Sequence, residues 1–201
     1  MYFFPFFILL ACFISIQMKR SSATEHKKSD DFWTYENNAN FVRKKDISNL
    51  EYIEVPLEKL PFKETSDSEL EELQNNVKQI SQMQIVNLTG ISNTDLKYKY
   101  GAANLDKLSV YDNNFIKLSR ALYNWGIYLY RNNEMDNAQI IFEYAVSCKV
   151  DISNIYITLA SIYADKGQFD KIRDLKEQAN ALNTLMKTSI LKALNSYDIP
   201  N

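Results

Sequence analysis

Residues 119–152 read SRALYNWGIYLYRNNEMDNAQIIFEYAVSCKVDI, and the order of bulky and small side chains in this stretch decides the fold. Leu122, Trp125, Gly126 and Leu129 recur at helical spacing, the run Asn132-Asn133-Glu134-Met135-Asp136 interrupts, and Ala138, Phe142 and Ala145 resume the spacing. One period of 34 residues later the positions are Tyr156, Leu159, Ala160, Tyr163, Ile172, Lys176 and Ala179, around the turn Asp165-Lys166-Gly167-Gln168. Six of the seven keep compatible chemistry; Lys176 stands where Phe142 stood. Small residues at Gly126, Ala138, Ala145, Ala160 and Ala179 let two antiparallel helices approach closely, while Trp125, Phe142, Leu159 and Tyr163 fill the space towards the next pair.

Outward from this stretch the helical signal continues. Phe115 and Leu118 carry the apolar stripe upstream, which starts the first helix near Tyr111, and Leu185, Ile190, Leu191 and Leu194 predict a closing helix. The four prolines are at positions 5, 56, 61 and 200, so residues 62–199 contain none. Sandwiches and barrels need frequent Gly- and Pro-built turns, so an all-β fold is excluded and the chain reads as all-α. Gly90, Gly101, Gly126 and Gly167 are too dispersed for a phosphate-binding loop.

On the quoted positions the chain resembles the tetratricopeptide-repeat family from Ser119 to about Thr184, with repeats at about 119–152 and 153–186. Ile172 is larger than the family's usual alanine, and Val150 and Thr184 replace its terminal proline. The resemblance implies an α-solenoid of antiparallel helix pairs whose inner face takes an extended peptide. The matching positions are Arg120, Tyr123, Ile127, Tyr130, Arg131, Asn154, Ile157 and Ser161. Such arrays need about three pairs, so helices between 67 and 108 are expected to supply further packing surface. Nearly the whole chain is also similar to bacterial proteins that join one amino-terminal membrane segment to a small tetratricopeptide-like domain. The matching stretches are Phe32-Trp33, Asn40, Arg43 to Asp46, Tyr52-Ile53, Pro56-Leu57, Leu60 to Phe62, Leu88 to Lys97 and Tyr100-Gly101. That similarity implies architecture and topology and carries no activity.

Residues 1–18, MYFFPFFILLACFISIQM, hold no Asp, Glu, Lys, Arg or His and as a helix span roughly 27 Å, enough to cross a bilayer's hydrocarbon core. Lys19, Arg20, Lys27 and Lys28 follow and no basic residue precedes, which predicts a single-pass anchor with the rest of the chain in the cytoplasm. Leu9-Leu10-Ala11-Cys12 resembles a lipobox and Ser21-Ser22-Ala23 a weak cleavage site, so the alternative is an exported or lipidated envelope protein with a structural role.

Residues 19–63 are expected to join the anchor to a helical domain at 64–201. Phe32, Tyr35, Ala39 and Val42 predict an amphipathic helix over Ser29–Lys45, closed by Arg43, Lys44 and Lys45, with its apolar face packed on the following domain rather than on lipid. Pro56 and Pro61 force Leu50–Phe62 to run extended, an apolar strap lying on a face or groove of the helical domain. Ser66, Asp67 or Ser68 caps a helix with Leu70, Leu73, Val77 and Ile80 inside, and Ser92 or Asn93 caps a shorter one ending at Gly101.

The chain has 23 Lys and Arg against 25 Asp and Glu, a net charge of −2, which gives no basic face for nucleic acid. Cys12 and Cys148 are far apart and His26, the single histidine, sits in a polar stretch, so no metal site, cofactor site or nucleophile pair is assembled. The expected function is a membrane-tethered, cytoplasm-facing scaffold without catalytic activity, whose partners are membrane lipid through residues 1–18 and a protein or peptide on the helical face.

Overall fold

The computed structural model describes residues 30–197. Eight α-helices and three short 3-10 turns account for its regular structure, and among the described residues the only β pairing is an isolated bridge between Tyr52 and Val86. The all-α expectation is met. Residues 1–18 lie outside the described part; no helix within it is long and apolar enough to cross a membrane. The described residues divide into two compact units: residues 30–46 with Ser92–Leu105, and Ile47–Ile91 with residues 106–197.

In the smaller unit, helix α1 covers residues 30–40 and α3 covers Asn93–Tyr100. Ser92 caps α3, its Oγ accepting the Asp95 N–H at 3.2 Å and donating to Asp95 Oδ2 at 2.6 Å. The Tyr35 hydroxyl donates to Asp95 Oδ1 at 2.8 Å, the Tyr35 ring stacks on Tyr98 at 4.4 Å, and Glu36 accepts both the Thr94 hydroxyl and the Lys97 ammonium. The expected helix to Lys45 stops five residues early. Lys45 donates its backbone N–H to the Tyr100 carbonyl at 3.0 Å, and Ala102 donates to Val42 at 3.3 Å, so Arg43, Lys44 and Lys45 run as an extended segment beside the end of α3. Ala39 is fully buried as expected, whereas Phe32 and Tyr35 stay substantially exposed.

In the larger unit, α2 spans Ser68–Ser81, α4 Leu105–Arg131, α5 Met135–Ser147, α6 Ser153–Asp165, α7 Phe169–Asn180 and α8 Lys187–Leu194. Asp67 caps α2 by accepting the N–H groups of Glu69 and Leu70. Helix α4 begins six residues before the expected Tyr111, because Leu108 and Tyr111 are themselves buried and its flank is held by the 82–91 loop. There Asn114 donates to the Gln84 carbonyl at 3.0 Å and Asp112 accepts the Leu88 N–H at 3.1 Å. Leu185 is not part of α8; it sits in the preceding loop, almost wholly exposed, while Ile190 and Leu194 carry the burial.

The 34-residue period reappears in the backbone. At the α4–α5 turn the N–H groups of Asn132, Asn133 and Glu134 donate to the carbonyls of Tyr128, Tyr130 and Leu129; at the α6–α7 turn Lys166, Gly167 and Gln168 donate to Ile162, Ala164 and Tyr163. The middle residue has positive φ in both, +61° at Asn133 and +68° at Gly167, a conformation that Asn and Gly tolerate best. Helices α5 and α7 then start at equivalent positions, Met135 and Phe169, and so do α6 and α8, Ser153 and Lys187.

Packing explains where the two halves differ. A Cβ at Gly126 would lie 2.3 Å from the Phe142 ring, so the first turn of contact between α4 and α5 requires glycine. One period on, Lys176 replaces the ring and Ala160 replaces the glycine. The lysine is thus paired with a change in its opposite position. Glu143 joins three helices: it accepts Gln139 at 2.8 Å on α5, Tyr163 at 2.8 Å on α6 and Lys171 at 3.0 Å on α7. Burial pushes the Glu143 carboxyl up, but these donors outweigh it and hold the group below the usual carboxylate range. A depressed folded-state pKa gives stability that is present above the unfolded value and lost as pH falls through the folded one. We expect Glu143→Gln to flatten the acid limb of a pH–stability curve measured by urea unfolding, below about pH 4.3, while leaving the neutral plateau lower.

The strap of residues 50–62 is extended as expected, apart from one 3-10 turn at Leu57–Lys59. Ile53 donates to the Ile85 carbonyl at 2.9 Å, the Tyr144 hydroxyl donates to the Glu54 carbonyl at 3.3 Å, Leu60 is buried, and Phe62 packs on Trp125 with ring centroids 4.7 Å apart. Its end is fixed by the buried Gln74 side chain, which accepts the Lys63 N–H at 2.7 Å and donates to the Lys63 carbonyl at 3.0 Å. These contacts put the strap in the larger unit's core and explain why the division falls before it.

Candidate interaction surface

The eight sequence-selected residues fall in three neighbouring places along α4 and α6. Arg120 is exposed and Tyr123 half-buried; the Tyr123 hydroxyl accepts an N–H from Asn154 at 3.1 Å, tying α4 to α6. Ile127 and Arg131 line a groove of about 410 Å³ with Asn124, Tyr128 and Asn132 of α4 and with Glu69 and Leu73 of α2. Tyr130 is half-buried against the core. Ile157 and Ser161 continue along α6, and the Ile157 carbonyl accepts the Tyr197 hydroxyl at 3.4 Å from the turn that follows α8. The strap's partners given above, Ile85, Tyr144, Trp125 and Gln74, include none of the eight.

Two residues that shape this surface were not singled out from the sequence. Tyr128 donates its hydroxyl to Asp67; this bond, with burial adding to it, pushes the tyrosine up to about 12, and the same bond, against burial, holds Asp67 below the usual carboxylate range. The bond closes one end of the groove by joining α4 to the cap of α2. Glu134 accepts Lys63 at 2.6 Å and Asn137 at 2.8 Å, and both contacts lower its pKa. Asp67 was legible as a cap, but its second role depends on Tyr128, 61 positions away, and no local pattern carries that.

The electrostatics of the face follow from α4. Between Asn113 and Arg131 it contains no Asp or Glu and presents Lys117, Arg120 and Arg131 outward. With Tyr123, Asn124, Asn154 and Ile127 this makes a strip that is cationic along α4, amide-rich and partly apolar, with Glu69 of α2 facing Arg131 across the groove. Such a strip fits an extended segment with acidic groups, using Coulomb attraction at the edges and apolar contact between them. A separate cleft of about 360 Å³ lies among the strap, the 87–89 segment and the α5–α6 turn, with Cys148 at its edge. Burial raises the Cys148 thiol, the opposite of what an activated nucleophile needs. Among the described residues no three His, Cys, Asp or Glu side chains form a metal-binding group. The chain matches no family model, no curated protein and no solved structure.

Proposed function

We propose that the protein is a membrane-tethered interaction scaffold: residues 1–18 anchor it, the folded part faces the cytoplasm, and the α4–α6 face holds an extended, acidic segment of a partner. The observation that carries this reading is the recurrence of the turn hydrogen bonds at Asn132–Glu134 and Lys166–Gln168. Equal turns one period apart support a tetratricopeptide-like solenoid of stacked helix pairs, in which the outward stripes of α4 and α6 run side by side. The Tyr123–Asn154 bond joins those stripes at one point. The helices supply a rigid backbone and the side chains of Arg120, Arg131 and Ile127 supply recognition.

Capture of partners from detergent-solubilised membranes tests the face. Arg131 is exposed and outside the core, so Arg131→Glu is expected to leave the melting temperature unchanged and to lose most of the captured protein, about tenfold or more for a charge reversal at an electrostatic contact. Unchanged capture by Arg131→Glu and Arg120→Glu together overturns the assignment. For the tether, a carboxyl-terminal fluorescent fusion is expected to be bright and an exported-phosphatase fusion inactive; the reverse result favours the envelope reading.

A further inference from the structure

The smaller unit leaves a set of aromatic side chains in water beside a basic segment. Phe32 is 54% exposed, Trp33 58%, Tyr35 42% and Phe41 86%. Phe32 and Trp33 meet edge to face at 5.6 Å, so the two rings form one surface rather than scattered residues. The buried side of α1 is already used: Ala39, Glu36 and the Tyr35 ring hold α3. Immediately after the helix, Arg43, Lys44 and Lys45 are exposed, and Lys45 is fixed in direction by its bonds to the Tyr98 and Tyr100 carbonyls.

The chain outside the described residues says what can cover this surface. On the amino-terminal side it ends at α1, and there it consists of the apolar run 1–18 and an eleven-residue connection, 19–29, with Lys19, Arg20, Lys27 and Lys28 against Glu25. Fully extended, that connection reaches at most about 40 Å. If residues 1–18 span the bilayer, α1 is held within that distance of the headgroups, where tryptophan and phenylalanine rings beside Lys and Arg partition favourably. Glu25, Asp30, Asp31, Glu36 and Asp46 oppose the effect, five acids against seven Lys and Arg in residues 19–46.

We infer that α1 and the 41–45 segment dock on the anionic leaflet of the membrane, with Trp33, Phe32 and Phe41 at headgroup level and Arg43 and Lys44 on lipid phosphates, while Lys45 keeps its ammonium on the Tyr98 carbonyl. This rests on the tether proposed above and adds the second contact that a single apolar anchor lacks: it sets the height and orientation of the smaller unit.

The two tryptophans make the test direct, because Trp125 is fully buried in the core and Trp33 is exposed. The full chain is reconstituted in vesicles of phosphatidylcholine alone or with phosphatidylglycerol, and the Trp33→Ser variant supplies the Trp125 background. Brominated lipid is expected to quench Trp33 in anionic vesicles and acrylamide to lose access to it. Reversing Arg43 and Lys44 to Glu is expected to shift the docking equilibrium back by about thirtyfold or more, from roughly 1 kcal/mol per basic residue near an anionic surface. Trp33 open to acrylamide and untouched by brominated lipid, in protein that still floats with the vesicles, overturns the docking and leaves the tether standing. Shielding from both quenchers also overturns it, and means residues 1–18 or a second copy cover the rings. Release of the protein by alkaline wash defeats the tether alone, and quenching recorded before the wash then decides the docking.

Discussion

Gly126→Ala is expected to destabilise the larger unit by up to about 2 kcal/mol, although it replaces a poor helix former with the best. In an exposed helix the exchange gains about 1 kcal/mol. Here the new methyl would sit 2.3 Å, 2.7 Å and 2.8 Å from three atoms of the Phe142 ring, and that ring is fully buried with no room to retreat. Overpacking of this kind costs about 1–3 kcal/mol, more than the propensity returns. At roughly 2–4 °C per kcal/mol for a domain of this size, the melting temperature falls by several degrees. Phe142→Leu in the same chain removes the obstructing ring atoms, so the double variant is expected to be more stable than the sum of the single losses, with a coupling of about 0.5–3 kcal/mol. Additive losses would mean that the two positions do not constrain each other. Ala160→Gly, one period on, is expected to lose at least about 1 kcal/mol, through helix propensity and the loss of a fully buried methyl, since Lys176 offers no ring to relieve.

Gly101→Ala is expected to have the larger local effect. Gly101 sits at φ +89° and ψ 142°, a backbone conformation that essentially only glycine adopts, and a Cβ there would lie 2.3 Å from the Arg43 carbonyl oxygen and 2.7 Å from the Lys44 Cα. These are backbone atoms and no rotamer change moves them. Strain of about 1–3 kcal/mol adds to the loss of the Lys45–Tyr100 and Ala102–Val42 hydrogen bonds at about 1 kcal/mol each, about 3–5 kcal/mol in all. Local opening at that level is read by hydrogen exchange: the Lys45 and Ala102 amides are expected to lose protection, while amides inside α5, α6 and α7 keep theirs. Protection retained at Lys45 and Ala102 refutes the close approach.

Both glycines were visible in the sequence, but only one could be interpreted there. Gly126 belonged to a pattern of small residues at positions set by a 34-residue period, and the period says that something must pack closely against it. Gly101 read as the end of a short helix, with no sign that residues 43–44 would lie against it. The same contrast runs through the candidate surface. Arg120, Tyr123, Ile127 and Arg131 share an outward stripe of α4, which helical spacing predicts. That Ile127 and Arg131 face α2, while Tyr123 reaches Asn154 on α6, depends on which helix lies on either side.

By itself the sequence determined that this chain is helical, where its turns fall between α4 and α7, which side of each of those helices is apolar, and that helices start near residues 66–68 and 92–93. Each of these rests on interactions within about one period, so local spacing suffices. The tertiary structure alone decided that Gln74 fastens the end of the strap, that Asp67 also accepts Tyr128, that α1 stops at residue 40, and that Trp33, Phe32 and Phe41 remain in water. Those outcomes depend on pairs from 11 to 61 positions apart, such as Gln74 with Lys63 and Tyr128 with Asp67. An apolar or polar side chain states only that it needs a partner. The packing of the whole chain chooses which one it receives, or leaves it exposed.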